Sequence, residues 1–192
     1  MSHKAVKAEQ PAYRWVCYAD GRYITARFLF WKGAFDDFAL IGAHAFEMYL
    51  KAYIVDKTGS FPPIHDLSKL CKTCGGHDPF FDTLLESPKW SRTWPIYWEF
   101  LRYPESLAGV DRPTLMEVGL DTVQQLDGLA YYVKSAVPNQ APAGSVFGDV
   151  IQAVTKITLP IPMLVPVGTE AELVEFRSLF LQQNQHFSPS VE

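Results

Sequence analysis

From Asp36 to Lys57 the chain reads DDFALIGAHAFEMYLKAYIVDK, and its apolar positions recur at the three- and four-residue intervals of a helix face. Phe38, Ile41, Ala45, Met48 and Ala52 trace the line, and Phe46, Tyr49, Leu50 and Tyr53 widen it. Asp36 and Asp37 fall in the first turn, where the helix dipole favours negative charge. Asp37, His44, Glu47 and Lys51 fall on the opposite side. Glu47 and Lys51 stand four apart in the favourable order, which predicts an exposed pair worth about 0.3–0.5 kcal/mol. Gly59 supplies a left-handed cap. Upstream, RYITARFLFWKGAF is aromatic and β-branched enough for a strand, but Ile24, Phe28, Trp31 and Phe35 recur at helical spacing, so a helix is predicted. Asp20-Gly21 reads as a turn or cap, and residues 1–18 as a flexible polar segment.

Pro62 and Pro63 forbid continuation of the long helix. A short helix is predicted from His65 to Cys74, closed by Gly75-Gly76, and another from Asp78-Pro79 to Glu86. Residues 88–113 hold three of the five tryptophans and read as a long aromatic connection with a short element inside it. Thr114 to Ala136 repeats the amphipathic pattern through Leu115, Val118, Val123, Leu126, Leu129, Ala130 and Val133. Thr114 and Glu117 have capping-box spacing. Pro138 ends that helix, and ITLPIPMLVPVG, with its alternating prolines, reads as an extended arm. A last helix is predicted from Thr169 to Gln185. Helices without a convincing set of strands give an all-α fold. The expectation is an up-down bundle of four to six helices over residues 19–137, with a C-terminal extension over 138–192 made of a Pro-rich arm and one helix.

Composition narrows the class. The 192 residues are 48% hydrophobic and 14% aromatic, enough for a packed core rather than a disordered chain. A net charge of −4 gives no global basic footprint for sequence-independent nucleic-acid binding, leaving only local patches. Cys17, Cys71 and Cys74 are too few and odd in number for a secreted disulfide framework. The N-terminus lacks the apolar core of a signal peptide, and the apolar stretches read as too short or too broken by charge and proline to span a bilayer. A soluble, cytoplasmic protein is the expectation, with no membrane partner.

The stretch FPPIHDLSKLCKTC poses the chemical question. Cys71, Cys74 and His77, with His65 upstream, have the soft-ligand types zinc requires. No second CxxC completes the spacing of zinc modules, and Leu67, Leu70, Cys71 and Cys74 share one helix face, as buried thiols do. The chain has no GxSxG, HExxH, EF-hand or glycine-rich phosphate loop. No cofactor is implied. By itself, His65-Asp66 reads as a helix start.

The ordered motifs resemble the HEPN domain family (higher eukaryotes and prokaryotes nucleotide-binding). Ala45, Glu47 and Lys51 are similar to its small-residue, Glu and Lys pattern on a long helix. Pro63, His65, Asp66, Leu67 and Leu70 are similar to its P-x-H-D-L-x-x-L, and RYPE at 102–105 precedes the last long helix as in many members. The likeness covers residues 20–136. It implies nucleotide or RNA binding, with Lys51, His65, Arg102 and Tyr103 as the site, in a homodimer that can sit beside a nucleotidyltransferase-like protein. Trp90, Trp94 and Trp98 beside Lys89, Arg92 and Arg102 are candidate stacking and phosphate groups, or simply fill the bundle.

Ribonuclease members carry an Arg followed after four to six residues by a His. None of the arginines at 14, 22, 27, 92, 102, 112 and 177 has a His at that spacing; Arg177 and His186 come nearest. The resemblance therefore implies a non-catalytic binding or interaction module. The alternative is a diverged metal-independent ribonuclease of a toxin or defence system, with His65 and Asp66 as acid/base groups. An unrelated all-α assembly protein is the third reading.

Overall fold

The structure, a computed structural model, describes residues 4–87, 90, 93–101, 118–138, 170–184 and 186. Its elements run β1 Val6–Lys7, α1 Ala12–Trp31, α2 Phe35–Thr58, β2 Ser60–Phe61, α3 Leu67–Gly75, α4 Phe80–Glu86, α5 Trp94–Phe100, α6 Leu120–Ala136 and α7 Glu170–Gln183. The fold is an all-α bundle, as the periodicity predicts.

The α1–α2 hairpin is its frame. Gly33 takes φ +74° in the connection, a conformation that costs glycine nothing. One continuous helix through Phe35 is thereby excluded, and Phe35 instead opens α2. Gly59, at φ +68°, is the left-handed cap expected after Thr58. α2 is the central helix, packed against α1, α3, α5 and α6. Phe38, Ala45, Phe46, Tyr49, Leu50, Ala52 and Tyr53 are buried, whereas Ile41 and Met48 are only partly so. By length and composition α2 could cross a membrane, contrary to the expected absence of any such stretch; 78% of its apolar window is buried inside the bundle.

Two starting points differ from expectation. α1 begins at Ala12, so residues 12–18 are helical rather than a flexible segment, and Asp20-Gly21 is mid-helix, not a turn. Tertiary partners explain this: the fully buried Asp20 accepts hydrogen bonds from Tyr49 Oη at 2.6 Å and from Lys134 Nζ. The last long helix starts at Leu120, with Gly119 extended before it, not at Thr114. Glycine inside a helix costs about 1 kcal/mol, whereas at this cap its N–H reaches Thr122 Oγ1 at 3.5 Å. The Thr114–Glu117 pair and the Pro-rich arm lie outside the described residues.

α7 returns to α1. Phe176 packs edge-on against Phe28, and Phe180 against Tyr23. Asn184 donates from Nδ2 to Tyr23 Oη at 2.7 Å, and Tyr23 donates to Asp127 Oδ1 at 2.5 Å. Arg27 completes this buried set, its Nε 3.6 Å from Asp127 and its guanidinium 5.0 Å from the Phe180 ring centre. Burial raises the carboxyl pKa of both Asp20 and Asp127, although Lys134 and Arg27 respectively pull the other way.

Candidate functional site

Glu47 and Lys51 are not a solvated pair. They are 3% and 5% exposed, with Lys51 Nζ 2.6 Å from Glu47 Oε1. The α2 stripe that reads as polar and outward is covered from both sides. Trp98 of α5 stacks on His44 at 5.8 Å between ring centres, and Phe61 of β2 lies 5.6 Å from Lys51 Nζ. Phe61 is held in turn by Trp15, 4.7 Å away, and by the β1–β2 pairing of Val6 with Phe61 and Lys7 with Ser60.

The prolines after β2 carry the chain back over this stripe and bring His65 to Glu47. His65 Nδ1 lies 2.9 Å from Glu47 Oε1 and 3.1 Å from Oε2. A carboxylate only accepts, so Nδ1 donates and carries the hydrogen. The rest of the ring stays outside: the His65 side chain is 55% exposed, and its centre is 6.2 Å from that of Trp98. Nε2 makes no hydrogen bond among the described residues.

His65 lines an open groove of about 920 Å³, together with Pro62, Pro63, Lys69, Lys72 and Thr73. The exposed Lys69 and Lys72 side chains make its α3 wall basic. Asp66 also borders the groove, but its carboxylate is occupied: Oδ1 accepts the Lys69 backbone N–H at 3.0 Å and Oδ2 the Lys69 ammonium at 2.8 Å. Partial burial opposes ionisation of Asp66, but the hydrogen bonds and charge of Lys69 outweigh it and hold the carboxyl below the usual range.

Of the sequence-predicted site residues, the structure brings Lys51 and His65 to one carboxylate, Glu47. Lys51 lies beneath the groove rather than in its wall. Arg102 and Tyr103 lie outside the described residues, as do Lys89 and Arg92. Trp90 and Trp94 are buried packing groups, and of the three tryptophans Trp98 is the one that comes near the site.

The structure does not gather Cys71, Cys74 and His77 around one point. Cys71 and Cys74 point into the core, their thiols donating to the carbonyls of Phe81 at 3.4 Å and Leu50 at 3.5 Å, while His77 is exposed. Burial pushes the Cys71 thiol up to about 12 and raises that of Cys74 as well. Among the described residues no three His, Cys, Asp or Glu side chains are placed to hold a metal ion.

Periodicity alone missed Glu47 as a site residue. The signal that could have found it is the shared α2 line of His44, Glu47 and Lys51, too polar for a helix buried on its other faces.

The sequence profile of the HEPN domain matches residues 12–109, from the first residue of α1 to beyond α5. The chain belongs to the HEPN domain family. Comparison with curated proteins and with solved structures gave no match. The HEPN match contains the α1–α2 frame, the Glu47–Lys51–His65 cluster and the α3 wall, so the candidate site is part of the HEPN domain; α6 and α7 follow it.

Proposed function

We propose that this HEPN domain is a binding module for nucleotides or RNA, seated in the groove beside His65. The observation that supports this most is the α3 wall, where Lys69 and Lys72 border the same open groove as an imidazole fixed from behind by a buried carboxylate. Ammonium groups there offer charge-assisted contacts to phosphate, and a wide, open groove accommodates a strand as readily as a mononucleotide. The absence of the Arg-x4–6-His spacing supports binding without cleavage. A homodimer is part of this reading, and light-scattering mass tests it. Replacing Lys69 and Lys72 together by alanine should weaken binding of a short single-stranded RNA at least tenfold. It should also flatten the salt dependence by about 0.7 for each phosphate no longer neutralised. Unchanged affinity and salt slope would reject the groove.

One observation favours a second reading. A carboxylate that holds Nδ1–H of an exposed histidine is the arrangement by which general bases are oriented. In a ribonuclease reading His65 would serve as the base with Glu47, not Asp66, behind it. Loss of RNA cleavage in His65→Ala protein would support that alternative.

A further inference from the structure

The seam between α1 and α7 is built as a ladder. Tyr23, Arg27 and Trp31 stand four residues apart along α1, and Asn184, Phe180 and Phe176 stand four apart along α7, a spacing that puts each set on one helix face. The two sets meet in order. Asn184 donates to Tyr23 Oη at 2.7 Å, the Arg27 guanidinium lies 5.0 Å from the Phe180 ring centre, and the Phe176 and Trp31 ring centres are 5.9 Å apart. Beyond the ladder, Lys32 pairs with Glu172 at the surface, and His186 stacks on Tyr131 of α6. The middle rung differs from the other two. Arg27 and Asp127 are 3% and 2% exposed, yet Arg27 Nε stands 3.6 Å from Asp127 Oδ1, too far for a hydrogen bond. Neither Arg27 Nε nor Asp127 Oδ2 has a hydrogen-bond partner among the described residues. An aromatic face attracts a guanidinium, but it does not supply the acceptors that the N–H donors require. A buried ion pair offsets its lost hydration only where its geometry and hydrogen bonds are good, and here they are not.

We propose that α7 is a strap that lifts from α1 as a unit while the rest of the bundle stays folded, and that the Arg27–Asp127 pair in the middle rung keeps it releasable. Two opposing effects set the balance. The contacts of Phe176, Phe180 and Asn184 hold the strap down. Lifting it admits water to the guanidinium and to Asp127 Oδ2, which restores the hydration that burial removes. The frame beneath survives the release, because the 2.5 Å bond from Tyr23 to Asp127 joins α1 to α6 without α7. On its other side α7 already faces water, through Glu175, Arg177, Ser178 and Gln182. An element packed on one face only is the kind that opens below the free energy of global unfolding. Its release bares a strip of α1 in which one cation stands between the Tyr23 and Trp31 rings. This device is independent of the nucleotide-binding reading of the groove beside His65.

Amide hydrogen exchange of the whole protein, followed residue by residue by NMR, tests this. After correction for intrinsic amide rates, the amides of α7 should exchange at least about tenfold faster than those of α2 around Leu50, as expected of a unit that opens by itself. Arg27→Met/Asp127→Asn removes both charges and keeps an acceptor for Tyr23. It should slow α7 exchange about tenfold relative to α2, because the apolar and amide groups gain less from water than the ions do. Exchange of α7 and α2 in one global event would overturn the strap. Faster α7 exchange in the double variant would show that the pair fastens the helix, and would overturn the role given to it here. Because both charges are buried and the double variant can fail to fold, Asn184→Ala gives a second measure. Loss of that hydrogen bond should speed α7 exchange about tenfold and leave α2 unchanged. Unchanged α7 exchange, or equal acceleration of α2, would overturn the proposal without recourse to the double variant.

Discussion

Glu47, in the middle of α2, accepts a hydrogen bond at 2.9 Å from His65, which precedes α3. The contact fastens the proline-containing connection onto the central helix, and it uses a carboxylate that is itself ion-paired below the surface to Lys51.

Removing one member of that pair should be costly. Lys51→Met leaves a buried carboxylate with only His65, and denaturant unfolding should show a loss of about 3–5 kcal/mol. Replacing both charges, as Glu47→Leu/Lys51→Met, should recover much of the loss, since well-packed apolar residues often match a buried ion pair in stability. A loss of less than about 1 kcal/mol for Lys51→Met, the range of exposed pairs, would mean that the pair is solvated.

Packing at the α2–α5 crossing gives a second expectation. A Cβ on Gly42 would stand 2.7 Å from the ring of Trp94. Trp94 is fully buried and its Nε1 donates to Gln125 Oε1 at 3.1 Å, so the ring has little room to retreat. Gly42→Ala should therefore lower stability by about 1–3 kcal/mol through overpacking, despite alanine's better helix propensity. A raised melting temperature would contradict this.

The buried aspartates set a pH dependence. Asp20 and Asp127 have carboxyl pKa values raised chiefly by burial. The folded state therefore keeps their protons to higher pH than the unfolded chain does. Their contribution is largest below the ordinary aspartate pKa, about 4, and declines as pH rises through the raised values. Asp127→Asn keeps an acceptor for Tyr23 and removes that titration, so its stability profile should fall less steeply above about pH 4 than the wild-type profile. Identical slopes would show that Asp127 does not contribute.

α7 belongs to the bundle energetically. Phe180 is buried against Tyr23 and over the Arg27 guanidinium. Phe180→Ala should cost about 3–5 kcal/mol in equilibrium unfolding. A change within about 0.5 kcal/mol, the range of a surface substitution, would mean that the helix is detached in solution.

Much of this architecture follows from local pattern. The apolar line of α2, its Gly59 cap, the proline stop before α3 and the helix ending at Ala136 all come from short-range chemistry. What local pattern does not contain is which polar residues acquire partners far away in sequence. Asp20 resembles a turn residue until Tyr49 and Lys134 are placed beside it. Glu47 and Lys51 resemble a surface pair until Trp98, Phe61 and His65 close over their helix. The order of the Glu47, Lys51 and His65-Asp66 motifs fits the HEPN family to which the chain belongs, but only tertiary structure separates Asp66, occupied as a helix cap, from Glu47, the carboxylate that holds the histidine.

If the groove beside His65 receives the ligand, its walls must respond when RNA is added. A heteronuclear NMR titration of the whole protein with a short single-stranded RNA reads this, following backbone amides and the His65 ring. Saturable shifts are expected at His65, Lys69, Lys72 and Thr73, with the α7 face near Phe176 unchanged. Saturable shifts confined to another face, or none at millimolar RNA, would place the ligand elsewhere or remove it altogether.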